Sequence, residues 1–448
     1  MIHSPSDPIA ALATPLASSA LAVIRVSGEG SLQLLARLVK GGRPVPERQG
    51  NTIGRCVLRD GVDDVDEVML AVYRAPRSYT GEDSAEIICH GSIPVVQRLL
   101  SLLNRSGFRP AGPGEFTQRA FLNGRMDLTR AEAVNEIVRA RTDRARALAL
   151  QRLSGAVESR IEAARDGLVR LRAGLEAAID YPEDEHEGDS VDAVILHRTI
   201  ALLEGLTRTY RQGRIYQEGV TAAIAGATNS GKSSLFNAML RQERAIVSEV
   251  HGTTRDWLEG AVSLEGIPVR LFDTAGLRDT GDPLEAEGMR RTEQVLAGAD
   301  IVIYLVDSTR GMDAADDAFL ARRPGVPLVR VWNKVDLPGL PAPDDFIPLS
   351  ALTGAGIERL ETAVAESALG GSPAETDEPL IDSVRQRDLI SQALAALARM
   401  REARARGVSA DLLAVDLAEA ADALGEITGQ ITTAEVLERM FASFCVGK

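Results

Sequence analysis

The run Gly226-Ala227-Thr228-Asn229-Ser230-Gly231-Lys232-Ser233 has the spacing G-x-x-x-x-G-K-S. Glycines at these places let backbone N–H groups close around phosphate oxygens. The lysine then reaches the β- and γ-phosphates, and the serine hydroxyl faces Mg2+. A strand is expected over Val220–Ala225 and a helix over Ser234–Leu240, so the loop sits where a helix dipole adds its positive end. Ser234 completes the phosphate-side set.

Further elements follow in order along the chain. Asp273-Thr274-Ala275-Gly276 closes a strand with a carboxylate behind the Mg2+ shell and a glycine N–H for the γ-phosphate. Asn333-Lys334-Val335-Asp336 ends another strand. There Asp336 can accept from both the N1–H and the exocyclic amine of guanine, a donor pair that adenine lacks. Ser350-Ala351-Leu352 ends the next strand and offers backbone to the base. Between the first loop and Asp273, Thr253 and Thr254 supply a hydroxyl to complete the Mg2+ shell. Five motifs, each ordered and strand-terminal, read as a GTP-binding domain rather than as a glycine-rich turn. Leu277 stands where a water-positioning glutamine would be expected, so another group must orient the water. Glu285 is the nearest carboxylate with such a role, although from residue type alone a solvated loop glutamate is the commoner reading.

These motifs need strands to carry them. Apolar runs at Val220–Ala225, Val269–Phe272, Ile301–Val306, Leu328–Trp332 and Phe346–Leu349 alternate with helical segments, the mark of an α/β sheet. The first 120 residues instead mix strands (Leu21–Val26, Thr52–Leu58, Val68–Tyr73, Ala85–Cys89) with helices (Leu32–Val39, Pro94–Leu103), which predicts an α+β domain. Leu153, Val157, Ile161, Leu168, Leu171, Leu175 and Ile179 predict one long amphipathic helix ending at Tyr181-Pro182. Helical texture resumes at Ala193–Tyr210, and again from Leu389 to Phe444. Residues 1–122 are therefore expected as an N-terminal α+β domain and 123–217 as the first part of a helical domain. An inserted GTPase domain would occupy 218–374, and 375–448 would return to the helical domain.

Composition limits the rest. At 448 residues the chain has room for about three domains. With only 4% aromatic residues, its cores must rest on Ala, Val, Leu and Ile. A net charge of −14 argues against a surface that grips nucleic acid everywhere. Three separated cysteines form no disulfide framework or metal pair, which points to a reducing cytoplasm. Ala10–Val26 imitates a signal segment, but Asp7 precedes it and Pro15 breaks it. No run is long enough to span a membrane. Six of residues 180–189 are acidic, which reads as a solvated loop. Among all the cations only Lys40, Lys232, Lys334 and Lys448 are lysine, and two of these already lie in the nucleotide motifs.

Several segments resemble the MnmE (TrmE) family of tRNA modification GTPases. They are Asp273–Thr280 with Glu285 and Gly288–Thr292, Gly114–Asn123 (GEFTQRAFLN), Ser78–Asp83 (SYTGED) and the terminal Phe444-Cys445-Val446-Gly447-Lys448. The resemblance covers essentially the whole chain. It implies a homodimer formed through an N-terminal domain that binds a tetrahydrofolate one-carbon donor (a 5-formyl or methylene derivative). It also implies a helical domain, an inserted GTPase domain and a hetero-oligomer with an FAD-dependent partner. Together these would install an aminomethyl or carboxymethylaminomethyl group on carbon five of the tRNA wobble uridine. By position in the motifs, Asn229 and Ser248, with the backbone of Val250 and Thr253, would hold K+. Ser233 and Thr254 would hold Mg2+, and Glu285 would orient the water. Positive charge from K+ would take the place of an arginine finger.

The same resemblance assigns folate to Arg25, Glu86, Arg125 and Lys448, a set in which cations suit carboxylates and Glu86 suits pterin N–H groups. Leu16–Ala20 lacks the glycines common in the family just before Arg25. Cys445 reads either as a nucleophile or redox thiol, or as a small apolar residue beside Phe444. Residues 125–172 carry 11 Arg against 7 acids, a local excess that could track phosphates, though solvated i,i+4 pairs are the simpler account. The competing reading is a GTP-switched ribosome-assembly factor that binds RNA without modifying it. That reading requires a basic RNA-binding module after the GTPase domain, where only helices are expected.

Overall fold

The computed structural model describes residues 7–41, 43–180, 191–241, 258–274, 294–321, 325–371 and 379–448. The chain forms two compact units, one of residues 1–135 with 425–448 and the other of residues 136–424.

The first unit is built on a seven-stranded sheet in the order β3-β4-β5-β6-β2-β1-β7. Its strands are β1 (Ile9–Leu12), β2 (Leu21–Ser27), β3 (Val39–Lys40), β4 (Thr52–Asp60), β5 (Asp63–Tyr73), β6 (Ser84–His90) and β7 (Arg109–Pro110). The segment that imitates a signal peptide is thus an antiparallel strand pair, Ile9 opposite Ser27 and Leu12 opposite Ile24. Alternation along β2 sends Ala22, Ile24 and Val26 into the main core and leaves Val23 and Arg25 half-buried on the other face. Helices α1 (Ser31–Ala36) and α2 (Ile93–Arg105) cover the core face, with Leu32 and Leu35 from the first and Val96, Leu99, Leu102 and Leu103 from the second. A smaller cluster of Ile9, Ala11, Ala111 and Phe116 includes the start of α3 (Glu115–Leu122).

The second unit holds a six-stranded sheet in the order β13-β12-β11-β8-β10-β9. These strands are β8 (Val220–Gly226), β9 (Leu258–Leu264), β10 (Ile267–Asp273), β11 (Ile301–Asp307), β12 (Leu328–Asn333) and β13 (Ile347–Leu349). All pairs are parallel except β9 with β10, a hairpin turning at Glu265 and Gly266 with φ of 49° and 79°. Two successive positive φ values are what a tight primed turn needs. Sequence periodicity alone does not mark β9. Ala222, Ala223, Ile224 and Ala225 are all buried because β8 is covered on both faces, which explains its unbroken apolar run. Helices α8 (Lys232–Arg241), α9 (Ala314–Ala321) and α10 (Ile357–Leu369) complete this α/β domain.

The helical part departs from expectation at one point. Helix α4 (Leu128–Arg139) precedes α5 (Asp143–Leu153), and a new helix, α6, runs over Ala156–Asp180. The single long helix expected from Leu153 is broken at Ser154-Gly155, where Gly155 takes φ of 93°. Val157, Ile161, Leu168, Leu171 and Leu175 are buried on α6, but Ile179 is exposed because the apolar face has drifted past it. Helix α7 (Ala193–Glu218) starts at Asp192, whose carboxylate accepts from the N–H groups of Val194 and Ile195. Helices α11 (Val384–Ala405), α12 (Ala410–Thr428) and α13 (Ala434–Phe441) follow the α/β domain. Buried Arg152 ties these parts together. It donates to Glu136 at 2.6 Å, to Asp382 at 3.0 Å and to the Leu380 carbonyl at 2.9 Å. No helix among the described residues is long and apolar enough to cross a membrane.

Candidate functional site

The nucleotide motifs converge at the C-terminal ends of β8, β10 and β12 and just beyond β13, the edge at which parallel α/β sheets bind ligands. Gly226 and Gly231 have φ of 141° and 98°, and Asn229 between them takes 63°. A side chain on Gly231 would collide with the Asn333 amide, so this glycine is demanded by close approach as well as by conformation. Lys232, at the first turn of α8 and buried, directs its ammonium along the loop, 3.1 Å from the Gly226 carbonyl and 2.7 Å from that of Ala227. Ser230 is buried in the loop, while Ser234 is exposed on the helix. The Ser233 hydroxyl donates to Asp273 Oδ2 at 2.6 Å. This pairing of two hard oxygens beside a phosphate-shaped loop fits the donor chemistry of Mg2+.

The Thr274 hydroxyl donates to the Ile224 carbonyl at 2.8 Å. It fastens β10 to β8, which leaves only the Thr274 backbone for a phosphate. Asn333 is also committed within the protein. Its amide donates to the Ser230 carbonyl at 2.8 Å and accepts from Ala351 N at 3.0 Å. The asparagine of the NKVD motif therefore acts as a brace between the phosphate loop and the base loop. Ser350 donates to Asp336 Oδ1 at 2.5 Å and fixes one oxygen of the carboxylate expected to read guanine. Leu352 projects outward, exposed, from this same loop.

Lys334 takes φ of 68° and pairs with Asp307 Oδ2 at 2.6 Å. Burial works against the charge on Asp307, but hydrogen bonds from Lys334 and Thr309 outweigh it and hold the carboxyl below its ordinary range. Ser248, Val250, Thr253, Thr254, Ala275, Gly276, Leu277 and Glu285 lie outside the described residues. Of the expected K+ set, Asn229 alone is within them, exposed at the loop crest.

A second constellation lies in the first unit. Arg25 and Glu86 are direct cross-strand partners on β2 and β6. Their side chains form two hydrogen bonds, from Arg25 Nη2 at 2.8 Å and Nε at 3.1 Å. Arg25 also donates to the Gly447 carbonyl at 3.2 Å, across 422 residues of sequence. Its guanidinium lies over the rings of Tyr79 and Phe116, 5.3 and 5.6 Å from their centroids.

Gly447 has φ of 91°, and a side chain there would strike the Leu12 carbonyl. The terminus is held by a bridge between Pro113 and Val446 and by Gly114 N donating to the Cys445 carbonyl. Lys448 is thereby placed next to the Arg25 anchor. Cys445 itself is exposed, while Phe444 is buried with Phe441, Leu437 and Leu128. Arg125 is exposed beside Gly81, and neither a hydrogen bond nor an ion pair joins it to Arg25 or Glu86. Asn123 donates to the Thr80 carbonyl at 2.7 Å and pins that loop.

A network invisible to motif reading supports this constellation. Arg119, buried, pairs with Glu115 at 2.8 Å and with Glu82 at 3.3 Å. Glu82 accepts from Ser27 at 2.7 Å, two residues beyond Arg25 on β2. Burial opposes the charge on Glu115, yet hydrogen bonds from Arg109, Gly112 N and Arg119 prevail and hold its carboxyl at about 2. The available signal was the clustering of Arg and Glu within GEFTQRAFLN and SYTGED; nothing in either run says that they meet.

Known proteins match the chain over essentially its whole length. Residues 8–125 match a family described as the GTP-binding protein TrmE N-terminus, and residues 128–445 match the MnmE helical domain. The tRNA modification GTPase MnmE of Treponema denticola is 41% identical over 469 residues, covering 100% of this chain and 99% of that one. A counterpart from Thermus thermophilus is 42% identical over 446 residues, with 99% of each covered. A solved structure of Era from Aquifex aeolicus is 25% identical, covers 40% of this chain and 66% of its own, and has a TM-score of 0.28. With two family models spanning both units and full-length relatives at this identity, the chain belongs to the MnmE family of tRNA modification GTPases.

Proposed function

We propose that this protein hydrolyses GTP in the service of tRNA wobble-uridine modification. The observation that carries the GTPase part is the brace from Asn333 to Ser230 and Ala351, which unites phosphate loop and base loop into one site. Gly226 to Ser233 wrap the phosphates through backbone N–H groups, and Lys232 sets its charge against the β- and γ-oxygens. Ser230, Ser234 and the backbone of Thr274, Ala275 and Gly276 complete the phosphate contacts. Asp336 receives the two guanine N–H donors while Ser350 holds it in place, and the backbone of Ala351 and Leu352 faces the base. Ser233 and Thr254 hold Mg2+, with Asp273 behind them. Asn229, Ser248, Val250 and Thr253 hold K+, and Glu285 orients the water. These two cations supply positive charge where negative charge develops in the transition state.

In the first unit, Arg25, Glu86, Arg125 and Lys448 bind a tetrahydrofolate derivative. Arg25 and Lys448 suit its carboxylates, and Glu86 suits its N–H donors. Such a donor supplies the one-carbon unit. Cys445, exposed next to this site, is the thiol available for chemistry there. The working assembly is a cytoplasmic homodimer joined to an FAD-dependent partner. Its domains are 1–122, 123–217 with 375–448, and an inserted GTPase domain of 218–374. Mass spectrometry of tRNA nucleosides from cells lacking the protein tests the reading. Loss of the aminomethyl or carboxymethylaminomethyl group from the wobble uridine is expected, and an intact modified uridine would overturn it.

A further inference from the structure

On the first unit, away from Arg25, the segment after β3 folds over the outer part of β4 and leaves a notch of about 260 Å3. Arg43, Arg48, Gln49, Thr52, Ile53, Gly54 and Arg55 line it, and no carboxylate does. β3 pairs only with Val57 and Leu58, so β4 has no strand partner on this side over Thr52–Cys56. Arg48 is the unusual member. It is only 8% exposed, makes no ion pair among the described residues, and its Nη1 is buried with no hydrogen-bond partner there.

Its neighbours fix the guanidinium in place without neutralising it. Nε donates to the Arg43 carbonyl at 2.9 Å, and Arg74 donates to the Arg48 carbonyl at 3.4 Å. A Cβ on Gly54 would lie 3.4 Å from Nη1, so the bare strand gives the guanidinium room to lie flat against β4. Burial pushes the neighbouring Cys56 thiol up, outweighing both the charge of Arg48 and a hydrogen bond with it, so this contact gives the guanidinium no counter-charge. Arg74 and Arg55 have counter-charges of their own in Asp83 and Glu67, at 2.8 and 3.0 Å. Arg43, exposed at the rim, has none among the described residues. A buried cation without an anion is costly to keep, and in native structures it is normally paired. Arg48 lines the notch, so an anion entering there meets its guanidinium. The guanidinium, amide and hydroxyl donors of the notch match the oxygens of a phosphate group.

We propose that this notch is a phosphate-binding subsite, filled in the working protein by a phosphodiester of the RNA substrate. This rests on the reading that the protein acts on tRNA. It also answers how a chain of net charge −14 grips RNA, through a few uncompensated arginines set into an otherwise acidic protein.

The test uses the full-length protein and fluorescent unmodified tRNA, with anisotropy titrations from 50 to about 200 mM KCl. Arg43→Glu with Arg55→Glu changes only exposed groups and is expected to weaken tRNA at least tenfold. The slope of log affinity against log salt should fall by about 1 to 2, with basal GTP hydrolysis unchanged. Arg48→Met keeps the volume and removes the buried charge, and should weaken tRNA in the same direction. A thermal-shift arm with inorganic phosphate separates the sources. Phosphate should raise the melting temperature of the wild type but not that of Arg48→Met or the double variant.

Variants that bind tRNA with wild-type affinity and slope would overturn the RNA assignment. If they have nevertheless lost the phosphate shift, the notch is a site for free phosphate. Variants unchanged in both arms would overturn the site itself. A wild type that fails to bind tRNA at all would instead count against the tRNA reading, and the phosphate arm would still decide the site.

Discussion

The side-chain amide of Asn333 spans 2.8 Å to the carbonyl of Ser230, joining two loops that lie 103 residues apart. One residue thus sets the distance between the phosphates and the base of a bound nucleotide. Asn333 is 1% exposed, so nothing but protein can satisfy it.

Replacing Asn333 by Ala should therefore damage both affinity and stability. It leaves the Ser230 carbonyl and Ala351 N–H without their partner, at a cost of about 1–3 kcal/mol. Fluorescent-GTP titration should show at least a tenfold loss. Lys232 and Asp336 are untouched by the change, and unaltered affinity would show that the brace is dispensable.

Asp336→Asn should exchange base preference rather than abolish binding. An amide oxygen and N–H in place of two acceptors match the C2 carbonyl of xanthine and no longer match the guanine amine. GTP should weaken by two orders of magnitude or so, at ~1.4 kcal/mol per factor of ten. XTP should gain, and competition titration with both nucleotides measures the switch.

On the proposed reading K+ takes the place of an arginine finger, so hydrolysis should be several-fold faster in K+ than in Na+ at equal ionic strength. Phosphate-release assays in the two salts check this. Equal rates would remove K+ from Asn229, Ser248, Val250 and Thr253.

Glu115 makes stability pH-dependent in a defined window. Its carboxyl is held at about 2, down from an ordinary 4.5, so its contribution is complete above pH 4.5 and is lost as pH falls toward 2. The contribution is roughly 3 kcal/mol at neutral pH, at ~1.4 kcal/mol per pH unit of depression. Glu115→Gln should lower the denaturation midpoint of the first unit at pH 7. It should also flatten the acid limb between pH 4.5 and 2, measured by chemical denaturation across that range.

Arg152→Met should destabilise the second unit by about 3–5 kcal/mol, since Glu136 and Asp382 lose a buried cation to which both are bonded. Thermal melting with and without GTP reads the effect. A variant as stable as the wild type would show that the two carboxylates find other partners.

The nucleotide motifs were legible without coordinates because each is a local matter. A glycine-rich turn, a strand end and a helix start are decided within some ten residues, and the expected strands β2, β8, β11 and β12 stand within a residue or so of where their apolar runs placed them. The long helix failed at Ser154-Gly155 because periodicity counts apolar residues and passes over a glycine that can cap a helix. What Asn333, Thr274 and Arg119 do was not legible, since Ser230, the Ile224 carbonyl and Glu82 lie 103, 50 and 37 residues from them and the choice among polar partners is made only by packing. The same holds for the contact between Arg25 and the Gly447 carbonyl, and for the isolation of Arg48 in its notch. Residue type and spacing specify which groups the chain carries and which turns hold them. Which distant groups meet, and which buried charge is left without a partner, depends on how whole elements pack, and that is a property of the folded chain.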